Sequence, residues 1–287
     1  MSHATNLRVQ TNGITLNVAS AGPDDGEPVI LLHGFPDASF GWGHQIEALS
    51  DAGFRVIAPD QRGYHLSDKP AHRDDYGMRL LVADILGLAD ALGLGSFDLA
   101  GHDFGGIVAW NLAEAEPDRV RRLAVLNSPH PRAMREFLAA NAEQRRRSWY
   151  VVFFRLPRLP ELVVRAGNWR PLTSAMSDSL TAAQLDRYRQ AWSQPGAMKA
   201  MIDWYRALLA RRSAPRTRRL ITPQTLIIWG KQDPHLMWQV AAPSAALCRQ
   251  ARVEYVEDAG HWVHQDRPAL VNQLLIDFLQ GVDTGPA

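Results

Sequence analysis

Short, unbroken apolar blocks alternate along this chain with longer stretches in which apolar residues recur every three or four positions. Val29-Ile30-Leu31-Leu32 and Arg55-Val56-Ile57-Ala58 are of the first kind, while Phe97 to Ala100, Arg122 to Leu126, Thr225 to Trp229 and Val253 to Val256 read as further strands. Blocks this short, with no polar alternation, predict strands buried on both faces of a parallel sheet. Phe40 to Ala48, Leu80 to Leu92, Gly105 to Glu114, Ala241 to Leu247 and Pro268 to Leu279 carry helical spacing, and Gly93 and Gly95 end the second of these. Leu7 to Gln10 and Thr15 to Ala19 read as two short antiparallel strands at an edge. Strands separated by helices predict an α/β fold with a mostly parallel central sheet covered on both faces.

The rhythm breaks after Pro129. From His130 to about Arg219 there are aromatic and basic helical stretches, punctuated by Pro157, Pro160, Pro171 and Pro195, but no strand. An all-helical block between two strands of such a sheet is most simply a cap over the strands' carboxyl ends, where open α/β sheets bind ligands. The expected division is a core of residues 1–129 and 220–287 and a helical cap of 130–219. No internal repeat or low-complexity segment interrupts this plan, and the tail after Gly281 reads as frayed.

Composition narrows the class. The chain has 287 residues, 46% hydrophobic and 21% charged, and a net charge of +1. That gives no field to steer a polyanion, so nucleic acid is not an expected partner. The basic runs Arg145 to Arg147 and Arg216 to Arg219 read as solvated helix ends or loop surface. Cys248 is the single cysteine, which rules out an internal disulfide and fits a reducing compartment. Met1 to Gln10 lacks the pattern of a signal peptide. No stretch reaches the roughly 20 apolar residues that span a bilayer. The expectation is a cytoplasmic enzyme with a small-molecule substrate and no membrane partner; nothing in the sequence sets an oligomeric state.

The chemistry centres on Gly101-His102-Asp103-Phe104-Gly105, between a strand and the helix that follows. This is the form of a nucleophile elbow, with aspartate where serine is usual. The turn is tight, so glycines flank it, and Gly106 extends the need for small residues. Asp103 as a mere helix cap would explain the aspartate but not the glycines. A carboxylate is ionised near neutral pH and suits displacement at saturated carbon, leaving an alkyl ester that water can cleave. A serine would leave an ether, a dead end. Asp103 therefore points to epoxides or alkyl halides.

Cleaving that ester needs an activated water. His261 follows the last strand, and Asp233 follows the strand Thr225 to Trp229, giving the chain order nucleophile, acid, histidine. His261 is the expected general base and Asp233 its orienting acid; Asp258, in the histidine's own loop, is the rival acid. Asn127 follows an earlier strand but cannot ionise. In His33-Gly34-Phe35-Pro36 the backbone N–H of Phe35, with that of Phe104, would form an oxyanion hole. No metal-ligand cluster or nucleotide-binding glycine motif is present, and this chemistry needs no cofactor.

These residues, with Asp60-Gln61-Arg62-Gly63-Tyr64, Asn127-Ser128-Pro129-His130-Pro131 and Gly260-His261-Trp262, resemble the soluble epoxide hydrolase branch of the α/β-hydrolase family. The resemblance runs from about Ile14 to Leu279. It implies that two cap tyrosines hydrogen-bond and protonate the epoxide oxygen, and Tyr150 and Tyr205 match them by context. There are two departures. Phe104 stands where the family commonly has tryptophan, and His65 where glycine is frequent. Phe35, Trp149, Phe153, Phe154, Trp192, Trp204 and Trp262 are candidates for an apolar pocket wall, which suggests an apolar or aryl-substituted epoxide. Two alternatives stay open. One is a haloalkane or haloacetate dehalogenase of the same fold, although Phe104 gives a halide no donor and Phe104 and Ile107 replace the arginines that hold fluoroacetate. The other is a non-catalytic ligand-binding protein.

Overall fold

The computed structural model describes residues 4–210 and 219–282. Arg216 to Arg218 of the second basic run, and the tail beyond Val282, lie outside the described residues. The chain opens with β1 (Thr5–Thr11) and β2 (Ile14–Ala21), an antiparallel hairpin turned at Asn12-Gly13, where φ is 45° and 78°. An Asn-Gly pair suits such a turn because both positions need positive φ. There follow β3 (Pro28–Leu32), α1 (Gly43–Asp51), β4 (Arg55–Pro59), α2 (Met78–Ala91), β5 (Phe97–His102), α3 (Phe104–Ala115) and β6 (Val120–Leu126). The stretch Phe40 to Ala48, expected as one helix, instead begins as a 3-10 turn, Ser39–Trp42, that runs into α1. Gly41 and Gly43 weaken helix formation there.

Among the described residues, six helices then occur before the next strand: α4 (Pro131–Ala140), α5 (Ala142–Arg147), α6 (Trp149–Phe153), α7 (Leu159–Thr173), α8 (Ala182–Trp192) and α9 (Ala197–Ala210). Of the four prolines, Pro157 and Pro195 lie between helices and Pro160 in the first turn of α7, whereas Pro171 lies inside α7. α7 is broken at Ala166–Trp169, where Gly167, Asn168 and Trp169 have positive φ. The sheet resumes with β7 (Gln224–Gly230), α10 (Ala241–Ala245), β8 (Ala251–Val256), α11 (Val263–Asp266) and α12 (Pro268–Gln280).

The eight strands form one sheet in the order β1-β2-β4-β3-β5-β6-β7-β8. β1 and β2 are antiparallel at the edge, and β3 to β8 are parallel, which puts their carboxyl ends on one side. Alternate side chains of β3 enter different layers. Ile30 and Leu32 pack in a layer with Ile85 and Leu88 of α2 and Val108 of α3. Val29 and Leu31 pack in a second with Ile46 and Leu49 of α1 and Leu275 of α12. This is why the strand blocks show no polar alternation.

The inserted helices sit over the carboxyl ends. Trp192 Nε1 donates to Pro36 O, Trp204 Nε1 to Arg62 O, and Gln144 Nε2 to His235 O, at 2.6, 3.0 and 2.8 Å. These carbonyls belong to the loops after β3, β4 and β7. The β4 loop is fixed in turn by a buried pair: Arg62 donates to both carboxylate oxygens of Asp84 on α2, at 2.7 and 2.6 Å. Asp84→Ala strands that guanidinium, and losing one partner of a buried pair costs about 3–5 kcal/mol. Urea unfolding of the variant is expected to show a loss of that size; a loss below about 1 kcal/mol would mean that Arg62 is satisfied by other means.

Candidate active site

Asp103 occupies the single residue between β5 and α3, at φ 48° and ψ −118°. Its neighbours leave no space for side chains. A Cβ on Gly105 would lie 2.1 Å from Leu32 O, and one on Gly34 would lie 2.4 Å from Asp103 Cβ. The tight approach brings the Phe35 N–H onto Asp103 Oδ1 at 3.0 Å. Ser128 Oγ donates to Asp103 O at 2.7 Å and holds the turn from the other side.

The other carboxylate oxygen, Oδ2, lies 3.6 Å from His261 Nε2. His261 Nδ1 meets Asp233 Oδ2 at 2.7 Å. Asp233 is buried and fully coordinated: Oδ1 accepts from the N–H groups of His235 and Leu236, at 2.7 and 2.9 Å, and Oδ2 also accepts from Asn127 Nδ2 at 2.9 Å. Burial pushes the Asp233 carboxyl up, but the charge and hydrogen bond of His261, then Asn127 and the Leu236 N–H, hold it below its ordinary value. For His261 burial pushes down, and the opposing charge and hydrogen bond of Asp233, with the charge of Asp103, raise it to about 9. Asp258 is elsewhere: its side chain is 63% exposed and paired with Arg267.

The structure also brings the two tyrosines to this place. The Tyr205 ring packs edge-on against Phe35 and Phe104, the residues flanking Asp103, with centroids 5.2 and 4.6 Å apart. Tyr150 lies 6.1 Å from Tyr205, ring to ring, and 5.6 Å from His235. Burial raises both phenols above their usual range; the Asp103 charge adds to this at both, as the Asp233 charge does at Tyr150 and the nearby Tyr150 phenol at Tyr205. Among the described residues, neither hydroxyl is engaged in a hydrogen bond.

The proposed wall divides. Phe154 is buried against Phe35, Tyr150 and Tyr205, and Phe153 borders it. Trp149 is not in the wall: it is 64% exposed and touches only the Phe153 ring, because it precedes Tyr150 on a short helix and so points the other way. Trp204 packs beneath Phe104 with its N–H committed to Arg62 O, and Trp262 lies edge-on to His261 and tilted against His102 while donating to Ala175 O at 2.7 Å. His65 has φ 39°, which explains why glycine suits that position; its imidazole meets Asp60 at 2.9 Å. Burial pushes the half-buried Cys248 thiol up to about 11, the wrong direction for a nucleophile.

Four contributors escaped the sequence reading. Asn127, set aside because it cannot ionise, orients Asp233 instead and accepts the Gly230 N–H at 2.9 Å. Ser128 locks the elbow, His102 Nε2 meets His261 O at 2.8 Å, and the His235 ring stands against His261. Asn127 and Ser128 were within reach, since a polar pair ending a buried strand beside β5 and β7 must find partners.

Comparison with known proteins gives the family. A family model described as alpha/beta hydrolase fold matches residues 27–268. The AB hydrolase superfamily protein YfhM of Bacillus subtilis is 41% identical over 277 residues, covering 95% of this chain and 96% of its own. Epoxide hydrolase 2 of Caenorhabditis elegans is 34% identical, over 94% of this chain and 79% of its own. Among solved structures, an epoxide hydrolase of Bacillus megaterium in complex with an inhibitor superposes with a TM-score of 0.89 at 30% identity, covering 96% of this chain and 100% of that one. The chain belongs to the epoxide hydrolase family of α/β hydrolases.

The raised His261 value has a consequence for stability. A group that holds its proton more tightly when folded stabilises the fold fully below its unfolded value, near 6.5, and loses that contribution as pH rises through about 9. The stability difference between wild type and His261→Gln should therefore shrink between those limits, as followed by thermal unfolding across a pH series. A difference that stays constant over the window would contradict a folded-state imidazolium.

Proposed function

We propose that this enzyme adds water to an apolar or aryl-substituted epoxide through an ester on Asp103. The observation that carries the proposal is the convergence of two unengaged phenols on a carboxylate whose neighbour is a histidine–aspartate pair. Asp103 Oδ2 attacks an epoxide carbon and the C–O bond of the ring breaks. The released oxygen takes a proton from Tyr150 or Tyr205, which becomes a phenolate. Asp103 Oδ1, already held by the Phe35 N–H, becomes the carbonyl oxygen of the ester. Water then attacks the carbonyl carbon with His261 as base, and the negative charge grows on Oδ1, which already accepts from the Phe35 N–H and which the Phe104 N–H would also stabilise. The water oxygen stays in the carboxylate; one of its protons goes to His261, which has by then given its own to the phenolate, and the other completes the second diol hydroxyl. Asp233 orients the imidazole and balances its charge.

A halide leaving group would need polar N–H donors. The indoles of Trp192, Trp204 and Trp262 are already committed to backbone carbonyls, and Phe104 has no donor, so dehalogenation is the weaker reading. A ligand-binding protein would leave the His261–Asp233 pair without a task. The cap of 130–219, a cytoplasmic location and the pocket roles of Phe153 and Phe154 belong to the same proposal. Among the described residues, no helix is long and apolar enough to cross a membrane.

Positioned acids contribute roughly 10²- to 10⁴-fold, and two phenols sharing one oxygen partly replace each other. Tyr150→Phe and Tyr205→Phe should each slow formation of the ester, and the double variant should lose far more than either. Stopped-flow measurement of the first turnover distinguishes this from a packing role, which would leave ester formation at the wild-type rate. The covalent route itself is tested by one turnover of styrene oxide in heavy-oxygen water with enzyme in excess. Label should enter the peptide carrying Asp103 and leave most of the diol unlabelled. A labelled diol with an unlabelled Asp103 would replace the ester by direct attack of water.

A further inference from the structure

Along α6, the link after it and the first half of α7, the chain exposes side chains that a folded protein ordinarily hides: Trp149, Val152, Leu156, Leu159, Leu162 and Val163. A run of this kind marks an interaction site more often than chance exposure does. Its surroundings are basic. Residues 142–170 hold seven arginines against two glutamates, a local charge of +5 in a chain whose total is +1. Glu143 is taken by Arg146 and Arg147, and Glu161 by Arg206. Arg155, Arg158, Arg165 and Arg170 are exposed, and among the described residues none has an acidic partner.

We infer that this face of the cap docks on a lipid bilayer bearing anionic headgroups, with the apolar side chains entering the interface and the arginines meeting the phosphates. Apolar side chains beside exposed arginines are the pattern of an element that lies on a membrane rather than through it. Each arginine near an anionic surface adds roughly fivefold to partitioning. A second copy of this chain fits the face less well, because a two-fold contact would set the same arginines against one another. The inference departs from the sequence-based expectation of no membrane partner, which rested on the lack of a spanning segment. The docking also has a use. α6 directs Tyr150 and Phe154 next to it toward Asp103 while Trp149 and Val152 face out, so an apolar compound dissolved in lipid would meet the cap beside the site. The inference rests on the surface alone and holds whatever reaction the site performs.

Co-sedimentation with large unilamellar vesicles tests it. The purified full chain should pellet with phosphatidylcholine vesicles containing phosphatidylglycerol, remain in solution with pure phosphatidylcholine, and be released by sodium chloride. Leu162→Glu and Arg158→Glu should each lower the partition coefficient about fivefold or more. Both side chains are exposed, so circular dichroism and the thermal midpoint should stay at wild-type values and exclude misfolding as the cause. No pelleting with the anionic vesicles, equal pelleting with neutral ones, or indifference to both substitutions would overturn the inference. So would a concentration-dependent dimer in analytical ultracentrifugation that Leu162→Glu dissolves.

Discussion

The closeness of the β5–α3 turn to the end of β3 is the constraint from which the rest of the site follows. Gly105 lies over Leu32 O and Gly34 lies against Asp103, so backbone meets backbone with no side chain between. Only at that separation can the Phe35 N–H reach the carboxylate at 3.0 Å. The cost is a non-glycine residue at φ 48°, a conformation worth about 1–3 kcal/mol of strain. The hydroxyl of Ser128 and the bond from the Asp103 N–H to Leu126 O at 3.3 Å hold the residue there. A side chain on either glycine would push Asp103 away from both its donor and His261.

This explains why the elbow could be read from the sequence and much of the pocket could not. The elbow needs glycine at fixed offsets from the nucleophile, and the triad needs a fixed order along the sheet, so both leave marks in one dimension. The pocket wall depends on rotational phase in helices as short as α6, where one residue decides the direction. Tyr150 faces inward and Trp149, its neighbour, faces solvent. Nor does a sequence distinguish an aromatic residue that touches a ligand from one that packs below it, as Trp204 packs below Phe104. The break of α7 at Ala166–Trp169 was missed although Gly167-Asn168 suits positive φ; Trp169, which adopts it too, carries no such signal.

Three of the tryptophans first counted as pocket wall, Trp192, Trp204 and Trp262, join the cap to the core. Trp192 and Trp204 send their N–H groups from the cap to loops of the core, and Trp262 sends its own from the core to Ala175 in the cap. Each buries a large apolar surface and satisfies its one polar group across the boundary. Trp204 does so on a carbonyl whose loop the Arg62–Asp84 pair already fixes, so the position of α9, and of Tyr205 on it, is referred back to α2. A proton donor on an inserted helix is useful only if its distance from the nucleophile is set this firmly, because a small displacement forfeits much of the gain from positioning.

The electrostatics of the pair Asp103–His261 then supply an order of events. In the free enzyme the Asp103 charge is one of the influences that raise His261 to about 9, which keeps the imidazole protonated at neutral pH and unable to act as a base. On the proposed route, forming the ester removes that charge. Burial, which opposes the imidazolium throughout, then weighs more heavily against Asp233 alone, and His261 gives up its proton more readily. The proton released has a destination in the phenolate left by ring opening. On that route the attacking carboxylate would hold its own base in reserve until there is an ester for water to cleave. Asp233, shielded by Asn127 and two backbone N–H groups, keeps its charge through both steps and lets the imidazolium form again.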